Sequence, residues 1–272
     1  MKFYDKLHSR SNKVKSLLCV GLDPEIEKIP LVIQKEQNPL FEFCKHIVDA
    51  THTDVAAYKP NIAFFERYGS SGIKEFELLL EYLKKNYPGV PIIADVKRGD
   101  LANTAKEYAK YYFGSLCVDS ITVSPYMGCD SLEPFLEYEN SFLFALCLTS
   151  NKGAEDFQKL VVKEGNIRVY DEVASAVYRL NKDYPDRVGI VVGATYPGEL
   201  KLLRKKFPDM VFLIPGFGAQ GGELLDTISI SGLNSVVNSS RSIIYHSNQD
   251  DFAEKALQKV KEINQEMQVL FR

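Results

Sequence analysis

The chain has 272 residues, 45% of them hydrophobic and 25% charged, with a net charge of -3. That composition supports a large folded core and excludes a disordered chain, and the slightly acidic balance gives no basic field to hold nucleic acid or an acidic lipid surface. The longest apolar run, 142–148, is far too short to span a bilayer, so neither a nucleic-acid partner nor a membrane is expected.

Residues 1–16 are polar and lack the apolar core of a signal peptide. The five cysteines, Cys19, Cys44, Cys117, Cys129 and Cys147, form no CxxC pair, which fits free thiols in a reducing, cytoplasmic setting. The histidines form no ligand cluster, so no metal site is expected. Strand-like apolar runs recur at 17–22, 55–58, 90–96, 120–123, 142–148, 188–192, 211–214 and 235–237. Helical periodicity lies between and after them, at 39–51, 73–87, 102–113, 168–184, 198–207 and 252–267. Eight strands alternating with helices, without a break in composition, predict an α/β fold: a (β/α)8 TIM barrel, one domain over 1–272. One connection, 151–166, is long, polar and glycine-bearing, and is expected to be a movable cover over the barrel mouth.

Polar residues stand where the apolar runs end. Asp23 follows the first and Lys59 the second; Asp95 and Lys97 belong to the third, and Ser124 follows the fourth. Thr149 and Ser150, then Gly193 and Thr195, then Ser239, Ser240 and Arg241 continue the series. Barrel enzymes build their sites on the C-terminal ends of their strands, so these residues are expected to converge on one mouth.

The stretch 92–104 carries the densest chemistry. A period of two sets Asp95 and Lys97 on the face of Ile93, so both charges are expected in one cavity, each needing partners. Gly99 ends the strand, and Asp100 and Thr104, four apart, are expected on one face of the following helix. A structural ion pair would account for Asp95 and Lys97 alone, but not for the whole series of strand ends.

The glycine-rich turn 216–222 opens a helical segment and can hold an anion on backbone N–H groups. It matches the dinucleotide pattern G-x-G-x-x-G, yet the acid expected about 20 residues on is replaced by Arg241. A phosphate monoester fits glycine turn plus arginine better, since the turns after the seventh and eighth barrel strands are the usual phosphate site.

With these motifs in place, the chain resembles the orotidine 5'-phosphate decarboxylase family. The matches are Asp95, Lys97, Asp100 and Thr104 in the third-strand motif, Asp23 with Pro24, Tyr58-Lys59-Pro60, Ser150 with Gly153, Pro215 with Gly218 and Gln220, and Arg241. The resemblance implies conversion of orotidine 5'-phosphate to UMP in pyrimidine biosynthesis by a homodimeric barrel using neither metal nor organic cofactor. It implies a charged network of Lys59, Asp95 and Lys97 with Asp100, the last contributed, like Thr104, across the dimer interface. Lys97 would protonate the C6 carbanion. Asp23 and Lys59 would take ribose hydroxyls, Ser150 and Gln220 the pyrimidine, and Gln220 and Arg241 the phosphate. Ser124, Pro215, Gly218 and Ser240 complete the expected substrate contacts, Ser240 standing where many relatives have glycine. Three rivals stay open: a metal-dependent sugar-phosphate decarboxylase or aldolase on the same barrel, an NADP-binding oxidoreductase built on the glycine turn, and a noncatalytic nucleotide-binding barrel.

Overall fold

The computed structural model describes residues 1–216 and 224–271. Its strands are β1 (Leu18–Leu22), β2 (Ala57–Pro60), β3 (Ile93–Arg98), β4 (Ser120–Val123), β5 (Phe142–Leu148), β6 (Val161–Lys163), β7 (Ile167–Arg168), β8 (Val188–Val192), β9 (Val211–Pro215) and β10 (Ser235–Ser239). The helices are α1 (Phe3–Val14), α2 (Pro39–Thr51), α3 (Ala63–Glu66), α4 (Gly69–Asn86), α5 (Ala102–Ala109), α6 (Glu133–Leu136), α7 (Ala154–Phe157), α8 (Val169–Leu180), α9 (Pro197–Lys206), α10 (Leu224–Ser231), α11 (Arg241–Ile244) and α12 (Phe252–Met267).

Eight strands form one sheet in the order β2-β1-β10-β9-β8-β5-β4-β3. The bridges Tyr58↔Ile92 and Asn61↔Asp95 run parallel and join its two ends, which makes the fold a (β/α)8 barrel. Every residue of β1, β2, β4, β8 and β10 is buried, the pattern of parallel strands covered on both faces. Two compact units divide the chain: Met1–Tyr4 with Lys97–Val237, and Asp5–Val96 with Asn238–Arg272.

In the second unit α2 opens on Pro39, whose missing N–H costs nothing in a first turn, and buries Leu40, Phe43, Cys44, Ile47 and Val48 along one stripe. Phe43 stacks on Phe252 of α12 at 5.2 Å, tying the last helix to the second. In the first unit the Phe142 ring of β5 lies 4.6 Å from that of Phe3.

Several boundaries differ from expectation. Residues 1–16 include a helix, α1, whose buried stripe Phe3, Leu7 and Ser11 is too thin to read as amphipathic. The stretch read as one helix over 102–113 is α5 followed by a π-helical turn, Lys110–Ser115. The connection 151–166 is not a plain loop, since it holds α7 and the first strand of an antiparallel hairpin, β6 with β7. Among the described residues no helix is long and apolar enough to cross a membrane.

Candidate active site

The unit of Asp5–Val96 and Asn238–Arg272 holds a buried charge cluster. Lys59 near the end of β2 places Nζ 2.6 Å from Oδ2 of Asp95 on β3, and the two side chains are only 6% and 8% exposed. Burial works to lower the lysine's pKa, but the carboxylates of Asp95 and then Asp23 outweigh it and hold the ammonium above the ordinary lysine value. Cys19, two positions before Gly21 and four before Asp23 on β1, has its thiol pushed up to about 12 by burial, so it stays protonated and packs as a small apolar group.

Asp23 follows β1 directly. Its Oδ2 accepts a hydrogen bond from the Ser240 hydroxyl at 2.6 Å, and its carbonyl oxygen accepts one from the Tyr245 hydroxyl at 2.9 Å. Its Oδ1 is buried without a partner among the described residues, as is Oδ1 of Asn238 on β10. Arg241, the first residue of α11, is exposed and accessible to an anion.

The unit of Met1–Tyr4 and Lys97–Val237 carries the other residues singled out from the sequence, apart from Gly218 and Gln220. Lys97 adopts a left-handed φ of 45°, and its N–H donates to Thr122 Oγ1 at 3.0 Å. The side chain is exposed, at the penultimate position of β3. Gly99 is required by a close approach, since a Cβ there would meet the Ser124 carbonyl oxygen at 2.7 Å, and the Ser124 N–H donates to Arg98 O at 2.8 Å. The Arg98 guanidinium lies 5.2 Å from the Tyr108 ring centre.

Asp100 is not on the helix face expected for it. It precedes α5 and accepts the N–H of Leu101 at 2.7 Å; Leu101 is extended, and the helix starts only at Ala102. Thr104 is the third residue of α5 and exposed.

Ser150 follows β5 and packs against Gly193 after β8, where a Cβ would come within 2.8 Å of the Ser150 nitrogen. Thr195 Oγ1 donates to the Ser150 carbonyl at 3.4 Å. The Pro215 carbonyl accepts the Ala194 N–H at 3.1 Å, and Gly216 turns left-handed at φ 93°. Gly218 and Gln220 lie outside the described residues. Gln158 uses both ends of its amide on Thr149, accepting its N–H at 2.8 Å and donating to Oγ1 at 2.8 Å.

Four of these contributors were not singled out from sequence. Asn238 left a signal, a polar residue next to the eighth apolar run; Thr122, Gln158 and Tyr245 left none. Among the described residues no group of three or more His, Cys, Asp or Glu side chains is arranged to hold a metal ion.

The model of the orotidine 5'-phosphate decarboxylase / HUMPS family matches residues 16–256. The chain is 53% identical over 271 residues to an orotidine 5'-phosphate decarboxylase of Leptospira interrogans, covering 100% of this chain and 98% of that one. To the enzyme of that name from Flavobacterium johnsoniae it is 45% identical over 268 residues, covering 96% of each. Among solved structures, an OMP decarboxylase of Leishmania donovani superposes with a TM-score of 0.82 at 36% identity, covering 98% of this chain and 99% of that one. A UMP synthase of the same organism gives 0.83 at 38% identity; the match covers 98% of this chain but only 57% of that longer protein.

Proposed function

The chain belongs to the orotidine 5'-phosphate decarboxylase / HUMPS family, and on that premise we propose that it removes the carboxyl group of orotidine 5'-phosphate to give UMP in pyrimidine biosynthesis. The observation that carries the reading is the buried Lys59–Asp95 pair at 2.6 Å, because a charged pair held out of water is costly unless its field is put to use.

A substrate carboxylate set against Asp95 meets a like charge, a repulsion of about 5 kcal/mol at ~3.5 Å and an effective dielectric of about 20. Breaking the bond from C6 to the carboxyl group releases carbon dioxide, relieves that repulsion and leaves the electron pair on C6. The Lys97 ammonium stabilises this carbanion and gives it a proton; the neutral amine is then reprotonated by solvent. Lys59 holds Asp95 ionised and, with Asp23, takes sugar hydroxyls. Arg241 and the 216–222 turn take the phosphate, whose binding energy is available to order the site. Ser124, Ser150, Pro215, Gly218 and Gln220 line the substrate. The reaction needs neither metal nor organic cofactor. Residues 1–272 act as one catalytic domain in a homodimer, with Asp100 and Thr104 serving across the interface. The free cysteines suit the reducing cytoplasm.

The test is the loss of orotidylate ultraviolet absorbance on addition of purified protein in excess EDTA. Turnover with chelator present is expected; activity that disappears with EDTA and returns with magnesium would favour the metal-dependent barrel enzymes instead.

A further inference from the structure

We propose that Ser240 is a positioning residue that sets the Asp23 carboxylate to receive a sugar hydroxyl of the substrate, an inference that rests on the decarboxylase reading and deepens it. A serine just before a helix ordinarily caps it, yet Ser240 makes no side-chain cap bond to α11. Its Oγ instead lies 2.6 Å from Asp23 Oδ2 and 3.1 Å from the Gly21 carbonyl oxygen. The hydroxyl has one proton, and the charged, nearer oxygen of Asp23 is the stronger acceptor.

The arrangement depends on a neighbour. A Cβ at Gly21 would fall 2.7 Å from Ser240 Cβ and 3.0 Å from its Oγ, so a glycine at 21 is what lets Ser240 reach Asp23. Tyr245 fixes the backbone of Asp23 from the other side through its carbonyl oxygen. With one carboxylate oxygen and the backbone pinned, the other oxygen, Oδ1, stays buried and unpartnered among the described residues. A buried acceptor left unpaired is unfavourable, and a ligand hydroxyl is the donor that corrects it, with little ordering left to do on binding. The Ser240 hydroxyl thus acts on the ribose end through Asp23 rather than on the phosphate.

Ser240→Ala, Asp23→Asn and the double variant are assayed on orotidine 5'-phosphate and on its 2'-deoxy and 3'-deoxy analogues. Ser240→Ala should lower kcat/KM about tenfold on the parent substrate, mainly through KM, in a protein that still unfolds cooperatively though at a somewhat lower temperature. The loss should fall below about twofold in the Asp23→Asn background and on the same deoxy analogue that blunts Asp23→Asn. Ser240→Gly serves if the alanine variant does not fold, and failure of both to fold would make the residue structural and overturn the proposal. Losses that are equal on all three substrates and multiply with Asp23→Asn overturn the inference alone. A wild-type protein inert toward orotidine 5'-phosphate overturns the decarboxylase reading and the inference together.

Discussion

Asp95 and Lys97 stand two positions apart on β3 and end in opposite environments, one buried against Lys59 and one exposed. The left-handed φ of Lys97 is a conformation that costs on the order of 1–3 kcal/mol and persists only where neighbours enforce it, here including Thr122 from 25 positions along the chain. Polar residues ending apolar runs made Asp23, Lys59 and Asp95 legible in the sequence, but a backbone angle imposed by a distant hydroxyl is not, nor is the direction of the Ser240 hydroxyl. If Lys97 is the proton donor, Lys97→Ala should cut kcat by several orders of magnitude while changing unfolding free energy by less than about 1 kcal/mol, as befits an exposed side chain. A variant within tenfold of wild type would remove that role. The buried cluster also sets a pH response. Lys59, Tyr58 and Cys19 all have pKa values raised in the folded chain, Tyr58 and Cys19 chiefly by burial and Lys59 by carboxylates that outweigh burial. Their contributions are therefore complete below the unfolded values and lost as pH rises through the folded ones, the earliest being Cys19 between its ordinary 9.0 and about 12. Each pH unit in such a window costs about 1.4 kcal/mol per group, so the urea midpoint should fall between roughly pH 9 and 11, and Cys19→Ala should flatten that fall. An unchanged slope in the variant would show that Cys19 plays no part.

Elements whose own residues decide them begin and end where periodicity put them: β4, β5 and β8 are apolar runs buried almost throughout, and α2 and α12 carry full stripes. Where the outcome depends on partners, the observed bounds depart from the apolar pattern. Expected over 90–96, β3 runs Ile93–Arg98, because the Val90 N–H is taken by a turn to Tyr87 and Pro91 has none to give. The hairpin β6 with β7 leaves no mark in the sequence because its strands are too short to show alternation, and Val161 and Val162 leave apolar surface exposed. This segment is tied down by few side chains. Gln158 bridges Thr149, and the Lys159 ammonium pairs with Glu155 and Glu199 at 2.9 and 3.2 Å and lies 3.8 Å from the Tyr196 ring centre. Gln158→Ala removes both amide bonds at once, so limited proteolysis should cut within 151–166 several times faster than in wild type, with global unfolding little changed. Equal cleavage rates would mean that the Gln158 amide does not hold the segment.

At the scale of the whole molecule, the barrel was legible because eight apolar runs alternating with helices leave few other ways to bury both faces of a parallel sheet. The proposed dimer is a different matter, since a single chain's periodicity cannot report a face that another copy covers. What supports it is apolar surface after β3 and β4: Leu101, next to Asp100, is 52% exposed, and Tyr126 and Met127 are exposed as well. If Asp100 serves the site of the other subunit, two inactive variants should repair one another. Chains carrying Lys97→Ala are mixed in equal amount with chains carrying Asp100→Ala, and subunits are allowed to exchange. In each mixed dimer one site combines an intact Lys97 with an intact Asp100 from the other chain, while the second site carries both lesions. Random pairing makes half the dimers mixed, each with one competent site of two, so activity should return to roughly a quarter of wild type. Were Asp100 to serve its own subunit, every site in every dimer would hold one lesion, and mixed dimers verified by mass would stay inactive although both variants fold.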